Sequence, residues 1–314
     1  MTASQFEIIK KDPEAPFLKA WDEATDLAAI RALFQAFKEA AERSRPDPST
    51  VAYTQEDTEI AVRDGTRVTL RIHRPKTPPA GRPGMVMFHG GGFVVGNLEV
   101  NAGLAHTFTE MGAVAVDVAY RLAPEHPFPV PVHDCLDALR WVAAHARELG
   151  IDPASGLLVA GESAGADIAL AVAHAYRQGV REEGLPPLTG IYAPLTSAVT
   201  RDSVPEKYRD RFVSMDQNAE APVLSAASLA FIRTEPLLFE HDGIPKTYFQ
   251  ACGWDPTRDC SLVAEQVFSD AGIPTRLDVY AGLPHAFWTV MPDAGFSKHR
   301  QEDVRLALRW LLGS

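Results

Sequence analysis

Two short stretches carry residue types that could do chemistry. Gly161-Glu162-Ser163-Ala164-Gly165 sets a serine between small residues, and His89-Gly90-Gly91-Gly92 strings three glycines behind a histidine. Ordered glycine is less favourable than alanine by about 0.5–1 kcal/mol per residue, so a run of three implies that the backbone itself is needed. By composition alone a Gly-x-Ser-x-Gly arises in about one chain of this length in ten, so its setting has to decide. Here it follows the apolar run "LLVA" at 157–160 and precedes a helical pattern. That strand, sharp turn and helix is the context in which a serine hydroxyl is lifted clear of a sheet. The helix start behind it offers unpaired N–H groups and positive potential to developing negative charge. A serine attacking an ester carbonyl creates an oxyanion, and removing one preorganised donor lowers the rate by about 2.7–4 kcal/mol in other hydrolases. The N–H groups of the 89–92 loop, with that of Ala164, suit this task. A phosphate-binding loop is the competing reading of the glycines, but no Gly-Lys-Ser/Thr follows them.

A serine needs a base, and the base an orienting acid. Of the ten histidines, His285 in "YAGLPHAFW" lies just beyond the last strand pattern and alone occupies the last place in the order Ser, Asp, His. For the acid, Asp255 in "CGWDPTRD" directly follows the run "KTYFQAC" and is favoured. Asp259 would fall on the following helix and Asp278 inside a strand, and both remain candidates.

The elements that must position these groups read as alternating strands and helices. "GMVMFH", "GAVAVDVAY", "SGLLVAGE", "KTYFQAC" and "TRLDVYAG" are strand patterns, with helical patterns between them, such as that of Leu136, Leu139 and Val142. Val304, Leu308 and Leu311 mark a last helix. This predicts an α/β fold with a mostly parallel sheet covered on both faces. Ahead of it, Asp64-Gly65 sits between two alternating runs and predicts a hairpin. Leu27, Ile30, Phe34 and Phe37 predict an amphipathic helix ending before "SRPDPS". From about Ala193 to Gly243 a long segment interrupts the rhythm. Its apolar clusters, 223–232 and 237–239, favour a packed lid.

Composition narrows the function classes. Lys+Arg 30 against Asp+Glu 41 leaves a net charge of −11, which disfavours nucleic acid and anionic lipid as partners. No leader pattern and no long apolar run is present, so a cytoplasmic protein without stable membrane association is expected. Cys135, Cys252 and Cys260 show no metal or disulfide spacing and read as buried thiols. No metal cluster or nucleotide fingerprint is seen, so no cofactor is expected.

Together these residues resemble the hormone-sensitive lipase-like family of α/β-hydrolase esterases. Besides "HGGGF" and "GESAG", the resemblance includes "YRLAPEHPFP" at 120–129 and "DPTRD" at 255–259, in order, and spans the chain from about residue 80. It implies Ser163 as nucleophile, His285 as base, Asp255 as acid, and Gly91, Gly92 and Ala164 as oxyanion donors, with His89 shaping its loop. It also implies a helical cap. The expected organisation is residues 1–50 as the N-terminal part of the cap, 51–192 as the first part of the core, 193–243 as the cap insertion and 244–314 as the rest of the core. Glu162, Asp167 and Ala286 depart from the family's common Asp, Asn and Gly. "MVMFHGGGFVVGNLEV" is most like filamentous-fungal members, some of them similar to esterases of acetylated polyketide intermediates.

The resemblance implies a serine carboxylesterase acting on a small-molecule ester, extending to an acetyl ester of a fungal secondary metabolite, and the apolar character of the cap segment points to short to medium acyl chains. A thioesterase or lactonase would use the same triad. A non-catalytic small-molecule receptor is the alternative from another class, since plant gibberellin receptors resemble these esterases while lacking the histidine. The last helix offers an edge for a homodimer, and its periodicity fits ordinary packing equally well.

Overall fold

The computed structural model describes residues 26–77, 81–231 and 243–313. The first 25 residues, Ile232, Leu237–Phe239 and His241 lie outside these, so the sequence expectations that fall on them are not addressed.

Helix α1 (Leu27–Arg43) is the predicted amphipathic helix, capped by the Asp26 side chain. Of its apolar residues Ile30 is buried, whereas Leu33 and Phe37 are exposed. Strands β1 (Tyr53–Ala61) and β2 (Arg67–Pro75) form the antiparallel hairpin, with Gly65 at φ 82° supplying the left-handed turn. β3 (Gly84–Phe88), α2 (Ala102–Glu110), β4 (Val114–Ala119) and α3 (Val130–Ala144) follow. Next come β5 (Leu157–Gly161), α4 (Ala164–Glu183), β6 (Gly190–Pro194) and β7 (Thr247–Trp254). The chain closes with α5 (Arg258–Asp270), β8 (Thr275–Pro284) and α6 (Gly295–Leu312).

The eight strands lie in the order β1-β2-β4-β3-β5-β6-β7-β8. β2 is antiparallel to β1 and β4, and the rest of the sheet is parallel. β3, β5 and β6 are buried throughout, as expected of strands covered on both faces. Alternation divides their side chains. Val86, Phe88, Leu157 and Val159 join one core with residues of α3, α4 and α5, while Met85, Met87, Leu158 and Ala160 join another with α2 and α6.

β6, "GIYAP", was not among the strands read from sequence, because five residues ending in proline are too short to show a period. It runs to Pro194, two residues into the segment expected to form the insertion. Within the insertion, a 3-10 helix spans Glu206–Arg211, and short helices span Ser214–Gln217 and Ala226–Phe231. Val204, Tyr208 and Phe212 belong to the larger core, so this segment is anchored to the sheet's helices.

The tightest packing lies where α4 leaves β5. A Cβ on Gly165 would stand 2.0 Å from the Phe88 carbonyl oxygen, and one on Gly161 2.2 Å from backbone atoms of Gly165. Neither neighbour is a side chain that can swing away. Gly165→Ala is therefore expected to destabilise the protein by more than about 3 kcal/mol in urea unfolding. Gly103→Ala, which meets open space within α2, should instead stabilise by about 0.5–1 kcal/mol.

Candidate active site

The C-terminal ends of the parallel strands bring the chemical residues together. Between β5 and α4 the chain turns on Ser163, at φ 57° and ψ −124°, a conformation that side chains rarely adopt. Its N–H donates to the Pro194 carbonyl at 3.0 Å, tying the turn to the end of β6. Strain held by surrounding packing is common where a side chain must be presented for function.

His285 lies just past β8, and Nε2 is 2.9 Å from Ser163 Oγ. Its Nδ1 is 2.7 Å from Asp255 Oδ2. An ionised carboxylate only accepts, so Nδ1 carries the proton it donates to Asp255, and the neutral ring's Nε2 accepts from the serine hydroxyl. His285 and Asp255 are both buried. The other Asp255 oxygen accepts from the Thr257 N–H and hydroxyl, each at 2.8 Å. These bonds fix the carboxylate's rotation. Thr257 belongs to "DPTRD", and a residue two positions after an aspartate is placed for this local turn.

The two other candidate acids are occupied elsewhere. Asp259, in α5, accepts from the N–H groups of Val213 and Ser214 at 2.7 Å each and pairs with Arg258. Asp278, in β8, accepts from the Tyr248 hydroxyl at 2.8 Å.

The glycine loop lies against the serine turn. A Cβ on Gly90 would stand 2.8 Å from the Glu162 carbonyl oxygen and 3.6 Å from Ser163 Cβ. Gly91 and Gly92 have φ of 124° and 60°, and a Cβ on Gly91 would stand 2.2 Å from Val95 O. Ala164 opens α4, so its N–H has no intrahelical acceptor. His89 stacks on Tyr120 with centroids 4.2 Å apart, and its Nδ1 is 2.8 Å from Gly90 O. Burial pushes its pKa down to about 4, so the ring is neutral and braces the loop. The Tyr120 hydroxyl, from "YRLAPEHPFP", donates to His89 O at 2.7 Å. Arg31 of α1 donates to Val94 O at 3.0 Å and Ala123 O at 2.7 Å, and pairs with Glu125. α1 is thus fastened to the loops around the serine.

Cys252 is buried behind Asp255, and burial raises its thiol well above the ordinary range, which leaves it unreactive. Among the described residues, no helix is long and apolar enough to cross a membrane.

The sheet order and the serine turn define an α/β hydrolase. Residues 85–289 match the α/β-hydrolase fold family, and the chain belongs to it, within the hormone-sensitive lipase-like esterases that its motifs resemble. It is 32% identical to an AB hydrolase superfamily protein of Schizosaccharomyces pombe, over 98% of this chain and 92% of that one. It is 30% identical to versiconal hemiacetal acetate esterase of Dothistroma septosporum, over 90% and 88%. Among solved structures, vibralactone cyclase superposes with a TM-score of 0.86 at 29% identity, covering 98% of this chain and 94% of the other.

Asp167, in the first turn of α4, is fully buried. It accepts from the Thr196 hydroxyl at 2.5 Å, from the Ser197 N–H at 2.8 Å and from the Ser197 hydroxyl. Burial pushes its pKa up to about 6 against the pull of these bonds. The folded chain therefore holds a proton more tightly than the unfolded chain, whose aspartate titrates near 3.9. Stability contributed by that proton is present at low pH and lost as pH rises through about 4 to 6. Asp167→Asn removes this titration. Its stability relative to the natural protein should rise by about 2–3 kcal/mol between pH 4 and pH 7, read from urea midpoints at the two pH values.

Proposed function

We propose that the protein is a serine carboxylesterase with Ser163 as nucleophile, His285 as general base and Asp255 as its orienting acid. The observation that carries this reading is the continuous hydrogen-bond chain from Ser163 Oγ through His285 to Asp255, set beside a glycine loop. The receptor alternative loses weight because the histidine is present and engaged with the serine.

His285 Nε2 takes the hydroxyl proton as Oγ attacks the ester carbonyl. The oxyanion settles on the N–H groups of Gly91, Gly92 and Ala164, which are fixed before the reaction and need no reorganisation. The same histidine protonates the departing alcohol, leaving an acyl group on Ser163. A water that loses its proton to His285 then releases the acid and restores the serine. Helix α1 and the insertion after β6 form the cap over this site and set the room for substrate. The similarity to an enzyme named for an acetate ester supports short acyl groups, including an acetyl ester of a secondary metabolite.

A second reading changes only the acyl acceptor. If the substrate's own hydroxyl replaces water at the acyl-enzyme, the product is a lactone. The similarity to vibralactone cyclase over nearly the whole chain favours keeping this outcome in view.

p-Nitrophenyl esters from acetyl to palmitoyl test the proposal. kcat/KM is expected to peak at short chains and to fall by about 10⁴-fold or more in Ser163→Ala. Unchanged hydrolysis in that variant would remove Ser163 from the mechanism. Matched oxygen esters, thioesters, lactones and hydroxy esters, with products identified by mass, would assign the acceptor.

A further inference from the structure

One guanidinium reaches each of the three chain segments that carry Ser163, Asp255 and His285. Arg300 of α6 is 6% exposed. Its Nη2 donates to Glu162 Oε1, and also to the Tyr192 hydroxyl at 3.2 Å. Nε donates to Gln250 Oε1 at 3.1 Å. Its Cζ lies 3.3 Å from the centroid of the Trp288 ring. Glu162 immediately precedes the serine. Gln250 belongs to β7, which ends at Trp254, next to Asp255. Trp288 sits in the short helix Phe287–Val290, which Ala286 opens in a left-handed conformation directly after His285.

The strand pleat explains how Glu162 comes to face α6. Leu158 and Ala160 point to the α2/α6 side of the sheet, and Glu162 continues that alternation one step beyond β5. Ser163 follows on the strained turn and leaves the sheet edge. A flat guanidinium can bond a carboxylate, a phenol and an amide in its plane while its face rests on an indole; an ammonium cannot. Burial opposes its charge, but Glu162 and the neighbouring hydroxyls outweigh burial and hold the pKa above the ordinary arginine range. The surrounding bonds are rigid in turn. Gln250 donates to the Tyr248 hydroxyl at 2.8 Å, and Tyr280 donates to Asp303 at 2.8 Å.

We infer that Arg300 is a positioning residue, holding Glu162 on one side and Trp288 on the other so that Ser163 and His285 keep hydrogen-bond distance, with β7 as their common support. This rests on the esterase reading above. A buried ion pair is weak evidence for a stabilising role, because desolvation offsets the attraction. Geometry that spans three segments of one site is explained by placement.

The test uses two variants. Arg300→Lys keeps the charge but loses the fork and the flat face, while Arg300→Met combined with Glu162→Gln leaves no charge buried alone. Each is assayed well below its own melting temperature, with p-nitrophenyl acetate and with a fluorophosphonate that labels the activated serine. Both variants are expected to lose about 10–100-fold in kcat and in labelling rate, with KM within about threefold, because misplacement near 1 Å costs about 10²-fold without altering substrate contacts. Labelling and kcat within threefold of the natural protein in either folded variant overturn the role of Arg300. A loss confined to KM does so too. Failure of the natural protein itself to be labelled, judged against Ser163→Ala, overturns the esterase reading and this inference with it.

Discussion

Everything at the site depends on how closely α4 can approach the ends of β3 and β5. The Phe88 carbonyl, Gly161 and Gly165 meet at distances that leave no room for a side chain. With the helix pressed this near the sheet, the chain must pass from strand to helix within two residues, Glu162 and Ser163. The second of them, Ser163, takes the strained turn at φ 57°. The strain is not incidental, because a relaxed turn would leave the hydroxyl beside the sheet rather than above its edge. Packing of this kind has one solution, and it also decides where Glu162 and Ala164 must point.

The same economy appears at neighbouring strand ends. Phe93, Leu195 and Ala286 also hold positive φ, and they follow β3, β6 and β8 respectively. A parallel sheet sends all its strands' C-terminal ends to one edge, where loops are free to diverge and sites collect. The sharp turns lie at that edge, and each is restrained by a bond to the sheet or to another loop. Ser163 N–H reaches Pro194 O, and Leu195 N–H reaches Gln250 O, each at 3.0 Å. Backbone strain is thus held by the rigid sheet, which can sustain it.

Much of this was legible in the sequence because it is local. The elbow is a pentapeptide, the hairpin is announced by Asp64-Gly65, and the buried strands are short apolar runs between turn residues. Asp255 could be preferred because the pattern places Asp259 on the following helix and Asp278 within a strand. What stayed hidden is what depends on distant partners. β6 has too few residues to show a period, and its identity comes from pairing with β5 and β7. Arg300 sits among polar residues of a helix, where an arginine ordinarily points to water. Nothing within α6 reveals that its partner lies 138 positions away. Nor did the spacing of Leu27, Ile30, Phe34 and Phe37 show which of them would find cover.

The departure at Glu162 then acquires a physical reading. The family's common aspartate at this place has one methylene fewer, so its carboxylate would stop about 1.5 Å nearer the strand. In this chain the longer side chain spans the gap to Arg300 across the α2/α6 core, which is otherwise lined here by Ala160, Tyr192 and Tyr248. The two tyrosines stack with centroids 5.3 Å apart, and the Tyr192 hydroxyl joins the same carboxylate at 3.3 Å. A shorter acid would leave the guanidinium buried with one partner missing, and an uncompensated buried charge is a large penalty. Glu162 and Arg300 are therefore one choice rather than two, and the residue beside Ser163 is set as much by the C-terminal helix as by the turn it occupies.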